Sequence, residues 1–142
     1  MLSTRRSLTV EFGHCDPSGI VFNPNYFQWL DFSVHALLAA AGLTLKGLVT
    51  ERGMDGIPLV DMKAKFFAPS RWGDVLDLEV GFAKLHRSAF EIEHKVWNAG
   101  TLAMEAIETR VWTVFDHEAK RIKAKAIPDD IVALFTGEAK GD

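Results

Sequence analysis

The sequence predicts an α+β domain in which one antiparallel sheet of about five strands wraps a single apolar helix. Three observations predict it. Residues 24–41 read as one long helix with little polar surface. Beyond residue 59 the hydrophobic period changes from 3.6 to 2. The later alternating segments are joined by short turns of hairpin type. The chain has 142 residues and no linker, repeat or low-complexity tract, so residues 1–142 read as a single domain with a modest core.

The elements follow in order. Leu8, Val10 and Phe12 alternate with Thr9 and Glu11, a half-buried first strand. Asp16-Pro17-Ser18-Gly19 breaks it. Asn23-Pro24 then reads as a helix start, with Asn23 as N-cap and proline in the first turn. Tyr26, Phe27, Trp29, Leu30, Phe32, Val34, Leu37 and Leu38 make this helix apolar nearly all round, and Gly42 is placed to end it in a left-handed cap. A shorter helix is expected over 45–51. Strands follow in which Val60, Met62, Ala64 and Phe66, then Leu76, Leu78, Val80 and Phe82, then Phe90, Ile92 and Val96 line one face. Val111, Thr113 and Phe115 close a fourth long strand, with Trp112 and Val114 on its other side. His86-Arg87-Ser88 and Asn98-Ala99-Gly100 are its hairpin connections, and 128–135 forms a closing helical turn.

Composition limits the function classes. Apolar residues make up 48% and charged residues 25%, the balance of a globular chain. A formal charge of −3 offers no broad basic face for nucleic acid. Cys15 is the one cysteine and has no partner for a disulfide. Thr4-Arg5-Arg6-Ser7 lacks the apolar stretch of an export signal, and the longest apolar run is short of a bilayer's thickness. A cytoplasmic protein with no membrane and no nucleic-acid partner is expected. His14, Cys15 and Asp16 are consecutive and supply too few ligands for zinc, so no metal is expected. His94 falls on the apolar face of its strand and reads as a core histidine.

Asp16 carries the functional question. The loop over 13–22 delivers its carboxylate beside the N-terminus of the apolar helix, where unpaired amides carry partial positive charge. A carboxylate next to donors aimed at a carbonyl is the minimum equipment for hydrolysing an acyl compound. Asp16-Pro17 also fits plain turn chemistry, which spacing alone favours. Gln28, Asp31 and His35 form a polar stripe on the helix, which reads as a wetted face or as a second functional acid.

The stretch "CDPSGIVFNPNYFQWLD", residues 15–31, resembles the 4-hydroxybenzoyl-CoA thioesterase family of hotdog-fold acyl-CoA thioesterases. The resemblance continues through "GIPLVDMKAKFFAPSRWGDVLDLEV" and "KLHRSAFEIEHKVW", and so covers nearly the whole chain in order. It implies a long helix wrapped by a curved antiparallel sheet. It also implies a homodimer assembling to a homotetramer, with each active site built between subunits. Asp16 matches the family's catalytic carboxylate, acting as nucleophile or as general base on water. The matching oxyanion donor is the backbone N–H around Asn23, where the family often has tyrosine. Gly19 either permits close approach of the carbonyl or relieves the turn.

The resemblance further implies that Asp31 accepts a hydrogen bond from the hydroxyl of an aromatic acyl group. Ile57 stands where the family has a threonine that helps hold that hydroxyl, and Tyr26, Trp29 or Trp72 can line an aryl pocket. Lys84, His86 and Arg87 match a basic run that binds the nucleotide of coenzyme A, thinned here by Ser88 and Ala89; a solvated turn is the plainer reading. Arg71 and Lys65 are further cations within conceivable reach of phosphate.

The expected activity is hydrolysis of an aromatic, hydroxybenzoyl-type acyl-CoA to free acid and CoA, as in aromatic degradation. A thiolate leaves without obligatory protonation, so no cofactor is expected beyond the CoA of the substrate itself. The alternative is a non-catalytic hotdog domain that binds acyl-CoA or an acyl carrier protein.

Overall fold

The computed structural model describes residues 1–138. Five strands form the main antiparallel sheet: β1 (Ser3–Thr9), β3 (Leu59–Phe66), β4 (Val75–Leu85), β5 (Ala89–Asn98) and β6 (Thr101–Val111), in the spatial order β1-β4-β5-β6-β3. A second, three-stranded sheet joins β2 (Met54–Gly56), β7 (Thr113–Asp116) and β8 (Arg121–Ala124) in the order β2-β7-β8. Helix α1 (Asn23–Ala40) packs on the main sheet, α2 (Leu45–Arg52) on β2, and α3 (Asp129–Thr136) against β4. Among the described residues no single helix is long and apolar enough to cross a membrane.

The core lies between α1 and the sheet. Tyr26, Trp29 and Leu30 meet Leu76, Leu78, Val96 and Met104, whereas Val34, Leu37 and Leu38 meet Val80, Phe82, Phe90, Trp112 and Phe135. Each fully buried large apolar side chain contributes about 1.5–3 kcal/mol, so these two groups carry the packing of α1. The helix ends as expected. Gly42 adopts φ +79°, the Gly42 N–H donates to the Ala39 carbonyl, and the Leu43 N–H reaches the Leu38 carbonyl at 2.9 Å.

Four expectations are corrected. Phe22, not Asn23, is the N-cap residue of α1, and no side chain caps that end; Asn23 is already helical, with Pro24 beside it in the first turn. Phe12 leaves the first strand for a 3-10 turn over Phe12–His14 and is 72% exposed, because Glu11 and His14 cap that turn reciprocally. The strand expected around Val111 to Phe115 is two strands. β6 ends at Val111 and β7 begins at Thr113 in the other sheet, so Trp112 and Thr113 are both buried while Phe115 is exposed. Most of β6 was not anticipated. On β3, Val60 and Phe66 are exposed, since this strand lies at the edge of the sheet.

Candidate active site

The loop ahead of α1 is held by its own main chain. The Phe22 N–H and the Asn25 side-chain amide both donate to the His14 carbonyl, at 2.9 and 2.8 Å. Isolated bridges join Cys15 to Val21 and Ile20 to Arg71, and the Val21 N–H donates to the Ser70 carbonyl. Between these ties Asp16 turns the chain. The Gly19 N–H donates to the Asp16 carbonyl at 2.9 Å, and the Asp16 N–H to the Ile20 carbonyl at 2.9 Å. Gly19 adopts φ +84°, and a Cβ there would meet only Arg71 Nη1, 3.9 Å away. Backbone conformation therefore requires this glycine, and crowding does not.

The half-buried Asp16 carboxylate receives two bonds on one oxygen. The Ser18 N–H donates to Oδ1 at 2.8 Å, and the Ser18 hydroxyl donates to the same atom. Oδ2 accepts no hydrogen bond among the described residues. The carboxylate lines a cavity of about 480 Å³ with Phe12, Cys15, Pro17, Gly19, Arg71 and Trp72. Phe12 and Trp72 form an edge-to-face pair 5.4 Å apart at its wall, and both are largely exposed.

Asn23 and Tyr26 line a second cavity, about 350 Å³, with Ile20, Val21, Phe66 and Phe67. The Asn23 main-chain N–H makes no hydrogen bond among the described residues, as expected of a helix N-terminus without a side-chain cap. Tyr26 is buried, edge-on to Trp29 at 5.5 Å. Trp29 is itself core, so of the two tryptophans considered for an aryl pocket only Trp72 borders a cavity with Asp16.

Asp31 and Ile57 meet in a third cavity of about 370 Å³, with His35, Pro58, Arg110 and Thr113 on its walls. Asp31 Oδ1 accepts from Arg110 Nη2 at 2.9 Å, and Oδ2 lies 3.8 Å from His35 Nε2. Thr113 supplies a hydroxyl to this cavity; it donates to the Gly56 carbonyl at 2.8 Å and keeps its lone pairs.

His94 is buried on β5, as its place on the apolar face predicts, whereas its partner Glu108, with Arg110 and the site position of Thr113, was missed by sequence reading. Glu108 is buried beside His94, and Arg110 Nε donates to it at 2.5 Å. Burial opposes the charge on Glu108, but hydrogen bonds from His94 and Arg110 outweigh it and hold the carboxyl below its ordinary range. The signal in the sequence was Glu108 and Arg110 at strand spacing, usable only once β6 is recognised.

The structure does not bring the predicted residues into one cavity of a single protomer. Lys84, near the end of β4, and His86 and Arg87, on the β4–β5 turn, stand exposed and line none of these three cavities. His86 is engaged by Glu91 at 2.7 Å, whereas Lys84 and Arg87 have no carboxylate within ion-pair distance among the described residues.

A family model described as the thioesterase-like superfamily matches residues 10–135. The chain is 36% identical over 139 residues to 4-hydroxybenzoyl-CoA thioesterase of Pseudomonas sp. (strain CBS-3), covering 91% of this chain and 97% of that one. The three-dimensional structure of 4-hydroxybenzoyl-CoA thioesterase from Pseudomonas sp. strain CBS-3 superposes with a TM-score of 0.87 at 34% identity, over 94% of this chain and 99% of that chain. A gentisyl-coenzyme A thioesterase superposes with a TM-score of 0.78 at 28% identity, over 94% and 99%.

Proposed function

We propose, from the premise that the chain belongs to the thioesterase-like superfamily and has the hotdog fold, that it is an acyl-CoA thioesterase acting on a hydroxylated aromatic acyl group. The observation that carries this reading is Asp16. Its carboxylate is pinned through Oδ1 to Ser18, opens onto a cavity of about 480 Å³ and lies just ahead of a helix start without a side-chain cap.

Two routes use the free oxygen. As nucleophile, Asp16 Oδ2 adds to the thioester carbon, the C–S bond breaks, CoA leaves as thiolate, and water then cleaves the resulting anhydride. As general base, Asp16 takes a proton from water as the water oxygen adds to the same carbon; the tetrahedral adduct collapses to acid and thiolate. On either route the developing oxyanion is met by the Asn23 N–H. Gly19 keeps the turn that sets Asp16 in place. Arg87 and Lys84, which have no carboxylate partner among the described residues, are the binding groups for the CoA phosphates, with His86 secondary.

The working unit in this reading is a homodimer, paired into a homotetramer. Asp16 and Asp31 occupy separate cavities of one protomer. The edge strand β3 and the exposed Phe27, Phe66 and Phe67 form an apolar surface suited to a second copy, and in this reading each site is completed across that contact. The pathway role follows from the substrate: cytoplasmic release of an aromatic acid from its CoA ester.

The test is thiol release over 4-hydroxybenzoyl, 3-hydroxybenzoyl, benzoyl, phenylacetyl and medium-chain acyl-CoA, with wild type beside Asp16→Asn. Turnover of a hydroxylated aryl thioester that falls by about a hundredfold or more in the variant supports the reading. Tight binding of acyl-CoA with equal, slow release by both proteins makes this a binding domain instead.

A further inference from the structure

Behind Asp31 lies a series of charged and titratable side chains that chemistry at Asp16 does not use. His94 on β5 and Glu108 on β6 are each 1% exposed, with Nε2 and Oε2 3.3 Å apart. Glu108 Oε1 accepts from Arg110 Nε at 2.5 Å. Arg110 Nη1 donates to the Ile57 carbonyl at 3.2 Å, and Nη2 to Asp31 Oδ1 at 2.9 Å. The side chain of Arg110 is 11% exposed and that of Asp31 51%. The guanidinium thus joins a buried carboxylate to one that faces a cavity.

An isolated surface ion pair holds its partners weakly, because two long side chains must be ordered at once. Here the ordering of Arg110 is done in advance by Glu108 and by the Ile57 carbonyl. A planar guanidinium can serve three acceptors in fixed directions, which an ammonium cannot. The charge balance also restricts the ligand. Asp31 and Glu108 against Arg110 leave one net negative charge, and Asp55 adds another at the cavity wall. An acyl group carrying its own carboxylate is disfavoured there, and one carrying a neutral donor is matched.

We propose that Arg110 is a positioning residue for acyl recognition: clamped by Glu108 and the Ile57 carbonyl, it fixes Asp31 as an acceptor and so sets the preference for acyl groups that end in a neutral hydrogen-bond donor. The inference rests on the thioesterase reading of Asp16 and Asp31 and adds the group that makes Asp31 selective.

The experiment compares affinities for 4-hydroxyphenacyl-CoA and phenacyl-CoA, thioethers without the hydrolysable bond, by calorimetry. Thiol release from 4-hydroxybenzoyl-CoA is measured in parallel. Wild type should prefer the hydroxylated thioether by about tenfold or more. Arg110→Lys and Asp31→Asn should each remove most of that preference, and the double variant should lose no more than either single one. If Arg110→Lys fails to fold, the apolar pair Arg110→Met with Glu108→Met avoids a lone buried charge and removes the same clamp. A folded clamp variant that keeps the wild-type preference overturns the inference, as do additive losses in the double variant or a wild type without preference. Hydroxyl preference without thiol release refutes the thioesterase reading instead, and leaves the role of Arg110 decided by the affinities.

Discussion

His94 Nε2, on β5, lies 3.3 Å from Glu108 Oε2, on β6, and both side chains are 1% exposed. A carboxyl held this deep in a small domain ties its stability to pH. The folded state holds Glu108 below its ordinary value of 4.5, so the unfolded chain binds more protons as the solution is acidified. The contribution is complete above about pH 4.5 and is lost as pH falls through the folded value. Urea unfolding should show wild type losing stability below that pH. Glu108→Gln should be weaker by about 3 kcal/mol at neutral pH and should vary less between pH 4.5 and 3. An unchanged slope in the variant would move the acid sensitivity to the other carboxyls held low, Asp74 by the Arg71 N–H and Asn98, Asp116 by the Ala119 N–H and Asp130 by Arg52.

Gly19→Ala should cost about 1–2 kcal/mol, the penalty for a side chain at a left-handed φ of +84°. Because a Cβ there meets only Arg71 at 3.9 Å, the loss is conformational. Thermal unfolding checks it. Turnover should fall further than stability, since relaxing the turn displaces Asp16.

Ser18→Ala removes one of two donors to Asp16 Oδ1 and leaves the main-chain bond of 2.8 Å. Thiol release should fall by roughly tenfold, because one of the two bonds that orient the carboxylate is gone. Turnover equal to that of wild type would mean that the hydroxyl contributes nothing to the placement of Asp16.

Phe66→Arg places a cation within the apolar surface formed by Phe27, Phe66 and Phe67. Sedimentation should show a lower mass than wild type, and thioester turnover should fall with it although Asp16 is untouched. Retained mass with full turnover would remove this surface from the assembly.

Arg87→Glu should raise KM for CoA thioesters by roughly tenfold at low salt, with the difference shrinking as ionic strength rises. His86→Ala should change KM by less than about twofold, because His86 is already engaged by Glu91. Steady-state kinetics on one thioester at two salt concentrations separates the two residues.

Much of the fold was legible because its elements obey one period each. The apolar run in α1, the alternation of β4 and β5, and the turn residues Ala99 and Gly100, both at positive φ, all state their structure locally. β6 did not. Thr101 to Glu108 contains Leu, Ala, Met and Glu, which favour helix, and a bulge near Trp97 buries both Ala103 and Met104, which breaks the alternation. Its strand state is imposed by pairing with β5 and β3 on either side. The Asp16 loop could be found as a motif, whereas the Asp31 clamp could not. Asp31 and Arg110 are 79 residues apart, and their meeting depends on the strand that the sequence concealed.

The anchoring of Asp16 and Asp31 on different parts of the fold has an evolutionary consequence. The first hangs from a loop held by main-chain bonds, the second from a helix face braced by β6. If the proposed reading of the two cavities holds, a substitution at Ile57 or Thr113 retunes which acyl group is admitted without disturbing the loop that bears Asp16. Divergence of substrate range within such a lineage needs few steps, each taken on a scaffold whose chemistry is already in place.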